Sequence, residues 1–176
     1  MASSISTRTG DDGTTSLLYG QRVAKDHPQI AAVGACDELN VALGAAKLGA
    51  DEPAIKALLK TVQQNLVALM AEVACAEGDV ERYLKSNLAR VAPADVQRLD
   101  DAVAALESRG LKFDGWATPG ANASALAFDR ARVTARRAER ALVALPAHGR
   151  NLRPEVRQLI NRLSDLLWLL ARAAEA

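Results

Sequence analysis

Between Ile55 and Val73, the apolar residues Ile55, Leu58, Leu59, Val62, Leu66, Leu69, Met70 and Val73 recur at the i, i+3, i+4, i+7 spacing of one helical face. A stripe of this kind is stable in water only when something covers it, so further helices with matching stripes are required. The chain supplies them. A helix is expected from Pro28 to near Gly49, with Ile30, Val33, Leu39, Val41 and Leu43 inward. The striped helix itself starts at Asp51 or Pro53 and is expected to end near Gly78, followed by a mixed stretch in which Tyr83 and Leu84 pack a short turn. Another runs from Pro93 or Asp95 to Gly110 on Val96, Leu99, Val103 and Leu106. A fourth spans about Asn122 to Leu145, where Pro146 and Gly149 break it, and a fifth spans about Pro154 to Ala174. Val156, Leu159, Ile160, Leu163, Leu166, Leu167 and Leu170 form the apolar face of the last. Alanine, the best helix former, makes up roughly a fifth of the chain. No segment alternates with period two over a useful length, so strands are not expected. The fold class is all-α: a five-helix up-and-down bundle at 28–176, preceded by a flexible N-terminal loop segment at 1–27, in a single domain.

Bulk charge narrows the partners. Lys and Arg number 22 against 21 Asp and Glu, a formal net charge of +1, and aromatics are 3%. Neither nucleic acid nor membrane is an expected partner on these figures. The polar start of the chain lacks the apolar core of a secretory signal, and the cytoplasm is the expected compartment. Cys36 and Cys75 lie in apolar helical stretches and read as small buried hydrophobes, while His27 and His148 are isolated, so no structural zinc site is expected.

Three features hold chemistry-bearing residues. In the run Thr7 to Ser16, Gly10 and Gly13 free backbone amides, and Thr7, Thr9, Thr14, Thr15 and Ser16 add hydroxyls. With the charges of Arg8 and Lys25, such a loop suits a polyphosphate; it equally suits a polar tail. Asp11 and Asp12 oppose an anion unless one holds Mg²⁺ or a ribose hydroxyl. It is no Walker loop, since GxxxxGK[ST] is absent. Second, Arg132, Arg136 and Arg140 recur at i, i+4, with Arg130 and Arg137 beside them. Like charges at that spacing repel by a few tenths of a kcal/mol per pair. The stripe is either a solvated face relieved by Asp129 and Glu139, or one offset by phosphate or a neighbouring carboxylate. Third, Asp37 with Asn40, and Asn161 with Asp165, pair on helix faces beside apolar stripes, where they specify helix register or touch a ligand.

Three blocks together carry a resemblance. They are TRTGDDGTTS at 7–16 with QRVAKD at 21–26; CDELN at 36–40; and TPGANASAL with RARVTARRAER at 118–140, joined by NRLSDLLWLLAR at 161–172. In this order they resemble the PduO-type ATP:cob(I)alamin adenosyltransferases and span nearly the whole chain. The resemblance implies a five-helix bundle assembled as a homotrimer with active sites between subunits. It implies transfer of the 5′-deoxyadenosyl group of ATP to cob(I)alamin, giving adenosylcobalamin and triphosphate, with Mg²⁺ carried mainly on the phosphates. Thr7, Arg8, Thr9, Gly10, Gly13, Thr14, Thr15 and Lys25 would then hold the triphosphate. Arg136 would contact phosphate, Glu139 and Asn161 the ATP or its Mg²⁺, and Arg132 would pair with Asp37 of the adjacent subunit. Trp116 falls where the family usually has Phe and would close the lower face of the corrin. A flavoprotein reductase and a B12-dependent client enzyme are the partners implied. Departures from the family pattern are Asp12 for a frequent Lys, Cys36 for a common Val, Trp116 for Phe and Ala121 for the second Gly of a PGG turn. A cobalamin carrier and a non-catalytic interaction bundle are the alternatives; neither needs a triphosphate cradle.

Overall fold

The computed structural model describes residues 6, 8–111 and 115–176. Six helices are found among them: α1 (Pro28–Gly49), α2 (Pro53–Val73), α3 (Val80–Leu84), α4 (Pro93–Glu107), α5 (Ala123–Ala144) and α6 (Pro154–Ala173). Five are long, as expected; α3 is the short turn around Tyr83, whose ring is buried while Leu84 is exposed. Proline opens α1, α2, α4 and α6, where its missing N–H costs nothing. In α5 the same end is held by Asn122, whose Oδ1 accepts from Ala125 N at 2.8 Å.

The helices stack in the order α2–α1–α5–α6–α4, with α5 in the middle. Composition explains its place. The buried face of α5 is Ala125, Phe128, Ala131, Ala135, Ala138 and Leu142, and α1 faces it with Ala32, Ala35 and Ala46. Small side chains let neighbouring axes approach closely from both sides. Asn122 Nδ2 reaches Ala174 O (2.6 Å), so the start of α5 meets the end of α6. Gly49 lies so near Ser124 that a Cβ there would sit 3.4 Å from its Cα, so the end of α1 meets the start of α5. α5 thus runs antiparallel to both α1 and α6, whereas α4 runs parallel to α6, with Arg153 reaching Val91 O (3.1 Å) at their starts and Arg162 reaching Asp100 (2.6 Å) further along.

The predicted core largely holds, with all seven apolar residues of α6 buried. Val41 is a correction: it is 72% exposed, because it falls outside the α1 face formed by Cys36, Leu39 and Leu43. Strands are another. Thr14–Ser16 (β1) pairs antiparallel with Arg22–Ala24 (β2). Leu17 N donates to Gln21 O (2.8 Å), and Gly20 takes φ +93° to turn the chain. Three-residue strands are too short to leave a period-two signal.

A third correction concerns α2, which stops at Val73 rather than near Gly78. Its last carbonyls are taken by side chains from elsewhere. Gln29 Nε2 donates to Val73 O (2.5 Å) and Cys75 O (2.8 Å). Arg150 donates from Nε to Cys75 O (2.8 Å) and from Nη2 to Glu72 O (2.7 Å). The buried Glu72 carboxylate receives Arg153 Nε (3.0 Å) and Nη2 (2.6 Å) in a bidentate pair. The hairpin docks on this same end: Leu18 N donates to Ala74 O (2.8 Å), Arg82 stacks 3.9 Å over the Tyr19 ring, and Gln21 bonds Asp79. Both cysteines are buried and free, and burial pushes the Cys36 thiol up to about 12, which suits packing and not nucleophilic chemistry.

Removing Arg153 would leave Glu72 buried and unpaired. Arg153→Met should lower stability by about 3 kcal/mol in urea unfolding at fixed protein concentration, and Glu72→Leu added to it should recover most of that loss.

Candidate functional site

The N-terminal loop is built from successive tight turns. Asp11 N donates to Arg8 O (3.4 Å) and Gly13 N to Gly10 O (3.2 Å). Arg8 takes φ +59°, unusual for a residue with a Cβ, and Gly13 takes φ +81°. Gly10 has a steric reason to be glycine, since a Cβ there would lie 3.1 Å from Lys25 Nζ and from Thr14 O. Lys25 N in turn donates to Gly13 O (2.9 Å), so Lys25 is fixed against the two glycines. Thr15 sits half-buried in β1. Thr7 lies outside the described residues.

Asp12 organises the loop. Its Oδ1 accepts from Thr14 N (2.9 Å) and Thr14 Oγ1 (2.8 Å) and lies 3.5 Å from Arg22 Nη2. The Thr14 bonds above all, with Arg22 adding, hold its carboxyl below the usual 3.8. Arg22 also donates to Thr9 O (2.7 Å) and Ser16 Oγ (3.2 Å) and bonds the Thr14 hydroxyl. Sequence reasoning passed over Arg22, although it stands in the 21–26 block; a hairpin prediction would have placed it opposite Ser16.

Helix α5 presents two polar flanks on either side of its alanine stripe, and the expected arginine row divides between them. On the α1 side, Arg130, Val133, Thr134, Arg137 and Arg140 line a groove of about 830 Å³ with Asp37, Glu38, Val41 and Ala42. Arg137 and Glu38 form an ion pair across it. On the α6 side stand Asp129, Arg132, Arg136 and Glu139. An i, i+4 row drifts by about 40° per step on a 3.6-residue helix, which carries Arg140 over to the groove. Arg132 Nε is 3.5 Å from Asp129 Oδ1, the relief expected. Glu139 does not relieve Arg136: its Oε1 accepts from Asn161 Nδ2 (3.0 Å) instead. The two residues expected near ATP or Mg²⁺ thus meet each other. Arg136 is exposed, and among the described residues it has no ion pair within the chain. Asp37 is exposed in the groove and likewise unpaired, so the chain does not itself join Asp37 to Arg132.

The ends of the bundle differ. The hairpin, Glu139 and Asn161 lie toward the end where α1 and α6 begin and α2 and α5 finish. Trp116 belongs to the loop entering α5 at the opposite end and is 100% exposed. Ala123 and Arg136 are about 20 Å apart along the helix at a rise of 1.5 Å per residue. No group of three or more His, Cys, Asp or Glu among the described residues is placed to hold a metal ion. No helix among them is long and apolar enough to cross a membrane.

Residues 5–174 match the family model described as cobalamin adenosyltransferase. The chain is 39% identical over 175 residues to the corrinoid adenosyltransferase PduO of Salmonella typhimurium, covering 98% of this chain and 50% of that protein. It is 36% identical to a corrinoid adenosyltransferase of Citrobacter freundii, covering 97% of this chain and 94% of that one. The chain therefore spans about half the length of the PduO relatives and nearly all of the shorter one. A variant of the PduO-type ATP:corrinoid adenosyltransferase from Lactobacillus reuteri, solved with cobalamin and ATP, superposes with a TM-score of 0.85 at 30% identity, covering 98% of this chain and 93% of that one. With the fold, the N-terminal loop and the two flanks of α5 described, these matches show that the chain belongs to the cobalamin adenosyltransferase family.

Proposed function

We propose that this protein transfers the 5′-deoxyadenosyl group of ATP to cob(I)alamin, at sites formed between subunits of a homotrimer. The observation that carries the reading is the loop Arg8–Lys25, closed by Asp12 and Arg22 and docked at the bundle end that also bears Glu139 and Asn161. The Co(I) electron pair attacks C5′ of the ribose, the C5′–O bond breaks, and triphosphate leaves with that bonding pair. No side chain need act as nucleophile; the protein's part is to position ATP, neutralise the developing phosphate charge and exclude water. Arg8, Thr9, Gly10, Gly13, Thr14, Thr15 and Lys25, with Thr7, hold the triphosphate, and Arg136 offers it an uncommitted guanidinium. Mg²⁺ comes with the phosphates, near Glu139 and Asn161.

The assembly follows from what one chain leaves incomplete. The phosphate loop and Trp116 lie toward opposite ends, and Asp37 and Arg132 face away from each other across α5. A neighbouring copy that sets its Asp37 against Arg132 supplies the missing pair, and the exposed Trp116 is the aromatic that closes the corrin face. Val41 and Val133, both exposed in the groove, gain cover in the same step. In the cytoplasm a flavoprotein reductase would deliver the low-valent cobalt, and a B12-dependent client enzyme would take the product.

Three outcomes test this. Incubated anaerobically with ATP, Mg²⁺ and chemically reduced cobalamin, the protein should consume cob(I)alamin absorbance and form adenosylcobalamin; a folded protein with no turnover would overturn the assignment. Arg22→Ala unfastens the loop without touching ATP and should raise the KM for ATP about tenfold or more while leaving the melting temperature of the bundle nearly unchanged. Asp37→Arg and Arg132→Asp should each depress activity at least tenfold, and the double swap should recover part of it; additive losses with no recovery would exclude direct pairing.

A further inference from the structure

The carboxylate of Asp129 is buried between two arginines. It is 3% exposed on α5, and its two oxygens serve different arginines. Oδ2 accepts from Arg172 Nη2 of α6 at 2.6 Å. Oδ1 lies 3.5 Å from Arg132 Nε, and both of these atoms are buried and otherwise unbonded among the described residues. Arg172 is itself buried and is also held by Glu175, with Nη2 to Oε1 at 2.9 Å. Two guanidiniums and two carboxylates therefore close a neutral cluster, and α6 anchors it from behind.

The geometry at Arg132 is asymmetric. Its side chain is 27% exposed, so the outer part reaches solvent while Nε is buried toward Asp129. A guanidinium offers five N–H donors in one plane. The 3.5 Å contact at Nε is an ion pair and not a formed hydrogen bond; it holds the inner side of the guanidinium against Asp129 and leaves its solvent-reaching part for a second carboxylate. We infer that Asp129, backed by Arg172, is a positioning residue that orients Arg132 for the carboxylate of Asp37 on a neighbouring subunit. The inference rests on the intersubunit pairing and the activity proposed above. Asp129 meets neither ATP nor corrin; it acts through Arg132 alone, and its loss frees Arg132 to rotate and leaves Arg172 with Glu175 as its remaining carboxylate.

A double-mutant cycle separates orientation from folding. Asp129→Asn keeps the shape and removes the charge. In the native background it should lower kcat for adenosylcobalamin formation about tenfold. In an Arg132→Ala background the same change should alter kcat less than about twofold, although it lowers the melting temperature in both, through the lost pair with Arg172. Arg172→Gln, which keeps Asp129, should lower the melting temperature while costing less kcat than Asp129→Asn. If Asp129→Asn alone does not fold, the cycle is run on Asp129→Asn with Arg172→Gln, which removes both buried charges. Equal kcat losses in the two backgrounds would overturn the positioning role. An inactive native protein, or an Arg132→Ala variant with native kcat, would overturn the underlying reading instead and the inference with it, so the two failures are told apart.

Discussion

The structure depends on the close packing of α5 between α1 and α6. Ala125, Ala131, Ala135 and Ala138 give the central helix a thin buried face, and helices press on it from both sides. A leucine at any of these positions would push a neighbouring helix outward, since a dense core accommodates added methylenes poorly. The tight seam also decides what happens beside it. With the alanines committed inward, the charged residues of α5 are held on two flanks, one opening on the α1 groove and the other on α6. The division of labour proposed for the arginines follows from that geometry: Arg137 joins α1 through Glu38, Arg132 is backed by Asp129, and Arg136 stays exposed.

Electrostatics then fasten the bundle at its two ends. At one, Arg150, Arg153 and Gln29 satisfy the carbonyls and carboxylate left at the end of α2 and so give the hairpin a defined surface to dock on. At the other, Asp129 and Arg172 tie α5 to α6 near the point where the Trp116 loop enters α5. Both are buried charge pairs. Such pairs add little net stability compared with apolar packing, but they tolerate one geometry only, which is what a site assembled from separate elements requires.

The heptad-like stripes in α2 and α6, prolines at four helix starts and the abundance of alanine made the helices legible, because these are local properties of the chain. The hairpin was not legible: three residues per strand carry no periodicity, and its stability comes from Arg22 and from docking on Ala74. Val41 misled because its apolar character fits a core as well as a surface waiting for cover. The role of Asp12 in closing its own turn was not legible either, since its partners Thr14 and Arg22 are set by the hairpin.

By itself, then, the order of residues determined an all-helical chain, the helix limits to within a few residues, and the blocks that place it among the cobalamin adenosyltransferases. Only the tertiary structure decided which arginine meets which carboxylate. Spacing along α5 offers Asp129 to Arg132 and Glu139 to Arg136 alike, but only the first pair forms: Asn161 of α6 takes Glu139, Glu38 of α1 takes Arg137, and the drift of the i, i+4 row carries Arg140 to the groove. Helix formation is governed by neighbours in sequence; the pairing of charges is governed by which helices lie side by side.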